Sequence, residues 1–379
     1  MKKNIAIITT HPIQYQIPLF KKFNKSKFIN LFVFFGSRHG KDSIKKDLEF
    51  NKKFNWDIDA SKGYDHFFPK KEGDIDSFFL GFSKLKDKFL VNKIDKVVIF
   101  GWNKLIYYQA IIAAISLNIP IYLRAENNLE KKNFFFKKFV KKFFFSFFFK
   151  LFDKIFYIGK LNKDFYKYYG VEKKKLIFTP YFVDINFFKS NIDFNQLKKI
   201  KSKYNIKKNN KVFLFVGKLI ERKNPLLIID YFKTMPKEAV CFIVGNGPLK
   251  EKLKNIIREK KIKNIFFLGF LNQRKLSTFY KFCDYLFLPS KYETWGLVVN
   301  EAFALCKPCI VTNKCGCRKD LIKDFQTGII INHLYDKNSL KKILKLIKIK
   351  KKKIENNINK KNKIYTIENS FKKMEKILK

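Results

Sequence analysis

Glu293 and Glu301 bracket the point where one stretch of chain passes from a strand into a helix. That stretch, Asp284 to Leu305, reads DYLFLPSKYETWGLVVNEAFAL. Its apolar run Tyr285–Leu288 stops at Pro289 and Ser290, a polar loop carries Glu293, and apolar residues resume at Leu297 with helical spacing. The pattern predicts a buried strand, a loop and a helix N-terminus, with Leu297, Val298, Ala302 and Leu305 facing the core. Helical side chains lean back toward the N-terminus, which brings Glu301 toward the same mouth. The unpaired N–H groups and positive dipole end of a first turn favour a phosphate, and a carboxylate beside them can accept hydrogen bonds from vicinal hydroxyls. Such a mouth suits a sugar diphosphate. In a chain this rich in charge, a solvated loop Glu and a helix-surface Glu would look the same, so the surrounding elements have to decide.

Those elements recur as strand, loop and helix. Lys211 to Val216 is a buried strand, followed by Gly217-Lys218-Leu219-Ile220-Glu221-Arg222-Lys223-Asn224 and a helix from Pro225 to Phe232, with proline at the first helical position. Gly217 lets backbone approach a phosphate, and Lys218, Arg222 and Lys223 place positive charge on that one loop. The next strand, Ala239 to Val244, ends in Gly245-Asn246-Gly247-Pro248. Its glycines permit close approach of a ring or phosphate, or make a simple tight turn. Asn264–Leu268 and Pro308–Thr312 are further strands, and a helix spans Gln273–Phe282.

The first half repeats the alternation. Asn4–Thr9 is a strand leading through His11 and Gln14 into a helix; Leu31–Phe35 and Lys96–Phe100 follow, the latter ending in Gly101-Trp102-Asn103. A helix from Leu105 to Leu117 leads to the strand Ile119–Leu123, after which come Arg124 and Glu126. Polar clusters at the carboxyl ends of successive strands mark a ligand cleft in a doubly wound domain. The segment Asn133–Phe152, NFFFKKFVKKFFFSFFFKLF, is amphipathic at its start and apolar nearly all round at its end. Two readings stand: an interfacial helix that inserts Phe and pairs Lys with anionic lipid, or a core helix with Lys on its solvent face.

The chain has 379 residues and a formal charge of +49. Its length suits two domains. Lysine is spread along the whole sequence beside Phe, Ile and Asn, which reads as compositional drift rather than a nucleic-acid arm, and no nucleic-acid motif appears. The cysteines at 241, 283, 306, 309, 315 and 317 make no disulfide framework, and a reducing cytosol is the simpler setting. Zinc is disfavoured because Cys309 begins a buried strand, where alternation points neighbours to opposite faces. No apolar run is long enough to span a bilayer. The Lys/Asn run from Lys350 to Lys363 reads as a linker, and Tyr365–Leu378 as an amphipathic terminal helix.

Taken together, GKLIERKN, IVGNGP and the Glu293-to-Glu301 spacing resemble the loops of retaining GT-B glycosyltransferases, specifically glycosyltransferase family 4. THPIQYQIPLF, GWN, LRAENNL and PYFVD resemble one bacterial subgroup of these enzymes. The resemblance implies an α/β GT-B fold: an acceptor-side domain over 1–190, a donor domain over 208–350, two doubly wound domains facing a central cleft, and residues 360–379 returning to the first. It further implies transfer of a sugar from a nucleotide-sugar donor, with retention, to a glycan or lipid-linked acceptor in cell-surface polysaccharide or glycoconjugate synthesis. No metal and no cofactor beyond the donor co-substrate is implied. Carried over, Lys218 and Lys223 neutralise the diphosphate, Glu293 meets the transferred sugar and Glu301 holds the ribose hydroxyls. Gly217, Gly245, Gly247, Gly296 and Leu297 line the donor, and His11, Gln14, Trp102, Asn103, Arg124 and Glu126 are acceptor-side candidates. Lys218 stands where the family usually has Arg, and Asn224 and Cys306 where glycine is common. The setting implied is cytoplasmic, peripheral on the inner face of the plasma membrane if 133–152 is interfacial. The alternative is a non-catalytic GT-B-like protein that binds a membrane or a polyanion.

Overall fold

The computed structural model describes residues 1–37, 59, 62–68, 78–129 and 135–379, with the backbone alone for 78–80 and 135–139. The Phe54–Asp57 stretch of the sequence, along with the start of the Phe/Lys segment, lies outside them. The described chain forms two compact units. One runs up to Phe182 and takes in Ile367–Lys379; the other is Val183–Thr366.

The first unit holds seven parallel strands: β1 (Lys3–Thr9), β2 (Ile29–Phe35), β3 (Asp65–Phe67), β4 (Lys96–Ile99), β5 (Ile121–Leu123), β6 (Lys154–Tyr157) and β7 (Leu176–Phe178), in the order β3-β2-β1-β4-β5-β6-β7. The second holds β8 (Lys211–Val216), β9 (Ala239–Val244), β10 (Ile265–Gly269), β11 (Tyr285–Leu288), β12 (Cys309–Thr312) and β13 (Gly328–Ile331), ordered β10-β9-β8-β11-β12-β13. Helices between the strands cover such sheets on both faces, which is why the central strands read as continuous apolar runs. All six residues of β9 and all four of β11 and of β12 are buried. In both sheets the order reverses beside the first strand, at β1/β4 and at β8/β11. A crevice opens there at the carboxyl ends of the strands.

The terminal helix is Ile367–Leu378. Phe371, Met374 and Leu378 pack with Ile5, Phe23 and Phe156 in one core of the first unit, and the Lys96 ammonium donates to the Ile377 carbonyl at 3.1 Å. This is the return to the first domain that the amphipathic tail predicts.

Several elements differ from the expectations. The Lys/Asn run is a helix, Lys351–Asn362, in which Ile354 and Ile358 are buried. A four-residue spacing of isoleucine suffices to dock a helix whose other positions are polar. Asp65–Phe67 is a strand and Phe78–Val91 a helix, neither of them marked by a strong local pattern. The helix Leu297–Ala304 buries Asn300 and Glu301 as well as Ala302, while Leu297, Val298 and Leu305 are only half-buried. It packs against the helices Ile185–Ser190 and Lys351–Asn362 as well as β11, so no single face is its inside.

Met374 is fully buried. Truncating a buried Met to Ala leaves a cavity, so Met374→Ala should destabilise the first unit by about 2–4 kcal/mol. Urea unfolding followed by hydrogen exchange should show the loss in β1, β2 and β4 amides and leave β8 to β12 unchanged.

Candidate active site

The loops after β8 and β11 flank the switch point of the second sheet, and a buried carboxylate ties them together. Glu293 is 5% exposed. Its Oε1 pairs with the Lys223 ammonium and accepts from Ser290 Oγ at 3.1 Å, while Arg222 Nη1 stands 3.6 Å from Oε2. The Glu293 N–H donates to the Lys314 carbonyl and its own carbonyl accepts from the Gly316 N–H, both at 3.1 Å. A charge this far from water is costly unless paired, so Lys223 and Ser290 fix the loop as well as neutralise it. The structure thus joins two of the sequence-predicted catalytic residues, Lys223 and Glu293. Lys218 is half-buried on the same loop.

Glu301 is 1% exposed, and its Oε2 accepts from the Tyr280 hydroxyl at 2.6 Å. Tyr280 escaped the sequence reading: it lies on the preceding helix, and no local pattern couples it to Glu301. Gly296 stands at the start of the Glu301 helix with φ +103° and, as glycine, brings no capping side chain of its own. Trp295 Nε1 donates to Asn300 Oδ1 at 2.8 Å, pinning the loop to the helix it enters. At the far end, Asn362 Nδ2 donates to the Phe303 carbonyl at 2.6 Å.

The glycines play a packing role that spacing alone leaves open. A Cβ on Gly245 would come within 1.8 Å of the Gly217 carbonyl oxygen, and one on Gly247 within 2.6 Å of that of Leu219. Gly217 N–H donates to Val244 and Leu219 N–H to Asn246. The two glycine loops therefore lie directly against each other. Asn224 has φ +51°, the left-handed region in which Asn is the best tolerated residue after Gly. Its amide donates to the Pro289 and His333 carbonyls at 3.2 and 3.1 Å. Cys306 also has positive φ, +58°, just past the helix end, where its N–H donates to the Phe303 carbonyl and its thiol to Asn359 Oδ1 at 3.1 Å.

The cysteines form no metal cluster among the described residues. Burial pushes the Cys315 thiol up to about 12, which keeps it protonated. A surface groove lined by Asp193, Lys199, Arg274 and Thr278 contains none of these loop residues.

In the first unit the candidates separate. His11 Nδ1 is 2.9 Å from Thr10 Oγ1 at the β1 end, and Gln14 is buried. Asn103 is exposed. Trp102 stacks on Phe165 within the aromatic core, centroids 6.0 Å apart. Arg124 is 3% exposed, set against the rings of Phe100, Tyr181 and Phe182, and its Nε and Nη2 find no hydrogen-bond partner among the described residues. Burial lowers its pKa, and Tyr181 and Glu126 oppose that shift. Glu126 accepts a short hydrogen bond from Tyr181, whose phenol burial raises well above its ordinary value.

Two parallel doubly wound sheets, with helices between the strands, define the GT-B class. Solved structures agree over the full chain. A glycosyltransferase from Rickettsia africae covers 100% of this chain and 98% of its own with a TM-score of 0.76 at 15% identity. Anabaena HepE, solved with UDP and glucose, covers 99% of both at 0.74 and 13%. Residues 197–364 match the model of the glycosyl transferases group 1. A curated relative is the UDP-Gal:alpha-D-GlcNAc-diphosphoundecaprenol alpha-1,3-galactosyltransferase of Escherichia coli, 32% identical over 55% of this chain and 54% of that protein. Another is the alpha-monoglucosyldiacylglycerol synthase of Acholeplasma laidlawii, 29% identical over 38% and 37%. The chain thus spans about half or less of the length of these relatives.

Two stability measurements check this geometry. Lys223→Ala and Glu293→Gln, singly and together, should show a coupling of about 0.5–3 kcal/mol in urea unfolding; additive effects would mean the pair is not formed. Cys306→Gly should raise stability by about 0.5–1 kcal/mol by relieving the left-handed backbone, read as a higher urea midpoint.

Proposed function

We propose that this chain transfers a glycosyl group from a nucleotide-sugar donor to a hydroxyl of a glycan or lipid-linked acceptor, with retention at the anomeric carbon. The observation that carries the reading is the Lys223–Glu293 pair at the β8/β11 switch point, in the region matching the group 1 model, next to the helix start at Gly296. In this reading the donor diphosphate lies against Gly217 and the N–H groups of Gly296 and Leu297. Lys223 then divides its charge between Glu293 and the phosphate.

As the glycosidic bond lengthens, negative charge grows on the diphosphate. Fixed positive groups at that position stabilise the transition state more than the bound donor. Lys218 and Lys223 supply that charge, without the bidentate geometry an arginine would give. Glu293, held by Lys223 and Ser290, faces the transferred sugar, and Glu301, oriented by Tyr280, takes the ribose hydroxyls. No step of this scheme calls on a metal ion. A cytoplasmic setting, where nucleotide sugars are made, and a part in cell-surface polysaccharide or glycoconjugate assembly complete the proposal.

The test pairs two variants with a donor identified by thermal shift against nucleoside diphosphates. Glu301→Gln should weaken donor binding by about 1.5–3 kcal/mol in calorimetry, through lost charge-assisted hydrogen bonds. Lys223→Ala should lower turnover more than donor affinity, in protein whose folded fraction is verified by circular dichroism. Wild-type turnover in both variants would refute the site, and donor binding without turnover for any acceptor would favour a non-catalytic binding protein. The anomeric configuration of the product, read by NMR, decides retention.

A further inference from the structure

The aromatic residues around the helix Phe135–Phe148 divide between two environments. Phe148, Phe149 and Phe152 are 7, 2 and 0% exposed. With Phe145, whose ring stacks on Phe149 at 5.3 Å, they meet Phe165 and Tyr166 in the core of the first unit. That is the core role the sequence allows, and it leaves the rest of the helix unaccounted for. Val140, Phe143, Phe144 and Phe147 are 52, 66, 50 and 54% exposed, and Leu151 of the turn that follows is 44% exposed. Large apolar side chains gathered on one face, rather than scattered singly, mark an interaction surface.

Two further features say what covers it. No Asp or Glu occurs between Glu130 and Asp153, and the cations are interleaved with the rings. The Lys150 ammonium sits 4.8 Å from the Phe147 centroid, and that of Lys142 lies 5.7 Å from the Tyr168 ring, itself 43% exposed. The apolar surface also continues onto the neighbouring helix Leu105–Ser116. There Tyr108 meets Phe148, and Ile112 and Ile115, on the same face by helical spacing, are 41 and 49% exposed. An apolar face fringed by lysine with no carboxylate of its own over 131–152, Asp164 on the helix of Tyr168 being the one beside it, complements anionic headgroups over acyl chains. A second copy of the same face would set lysine against lysine.

We propose that this face docks on an anionic lipid bilayer, with Phe143, Phe144 and Phe147 entering the headgroup boundary and Lys142 and Lys150 meeting lipid phosphates. Docking is independent of the transfer reaction; joined to it, it favours an acceptor carried in the same bilayer. Among the described residues no helix is long and apolar enough to cross a membrane, so the attachment is interfacial.

The full chain, floated with vesicles of phosphatidylcholine alone or mixed with phosphatidylglycerol, tests this without any sugar donor. Binding should require phosphatidylglycerol and weaken as salt is raised. Phe143→Ser with Phe147→Ser should reduce it on the order of ten-fold or more at an unchanged melting temperature, since both side chains are already exposed. Lys142→Glu with Lys150→Glu should abolish the preference for phosphatidylglycerol. Equal binding to neutral vesicles, or undiminished binding by the aromatic variant, would overturn the proposal. So would a wild-type dimer in sedimentation velocity that the aromatic variant converts to monomer with vesicle binding intact. Failure of transfer with intact vesicle binding would refute the catalytic reading alone.

Discussion

The second unit is built around a charge that water scarcely reaches. Glu293 cannot sit at 5% exposure unless something answers it, and the groups that do so come from different strand ends. Lys223 arrives from the loop after β8 and Ser290 from the end of β11, while the carbonyl of Lys314 and amide of Gly316, from the loop after β12, hold the Glu293 backbone. Satisfying one residue, its carboxylate and its backbone together, therefore sets the spacing of three loops at the switch point. The link extends outward: the Lys291 amide donates to the Arg222 carbonyl, and the Asn224 amide reaches Pro289 and His333. Electrostatics and backbone pairing here reinforce each other, and each loop is held from more than one side.

A second layer holds the helix that presents Glu301. Its beginning is fastened by Trp295 to Asn300 and its end by Asn362 to Phe303, so both termini have partners outside the helix's own hydrogen-bond ladder. The strongly polar helix Lys351–Asn362 that supplies Asn362 is consequently part of the site's support. Lysine and asparagine dominate it, yet it buries Ile354 and Ile358.

This contrast shows what a linear reading can see. Buried strands announced themselves because both faces of a parallel sheet are covered, and β11 and the helix Gln273–Phe282 begin and end where the apolar pattern places them. The loops at the switch point were legible because glycine, proline and charge cluster there. Tyr280 was not, since its hydroxyl reaches Glu301 only after two helices pack. The helix Lys351–Asn362 was hidden by its composition, and the burial of Glu301 itself by the assumption that a helix has one inside. Asn224 and Cys306 look in sequence like equivalent departures from glycine. In three dimensions the side-chain amide of the first bonds two carbonyls, while the side chain of the second, among the described residues, bonds Asn359 alone.

The terminal helix carries a consequence for how the chain is made. The first unit is discontinuous in sequence: Phe371, Met374 and Leu378 belong to the same core as Ile5 and Phe23, with the whole of Val183–Thr366 interposed. During synthesis from the N-terminus, β1, β2 and β4 leave the ribosome with one flank of their core still bare, and it stays bare until the whole of Val183–Thr366 has followed. Among the described residues the second unit runs without interruption from Val183 and can close while the first is waiting. The earlier-made unit thus finishes last, and its exposed phenylalanines during that interval are where chaperone binding and aggregation would concentrate.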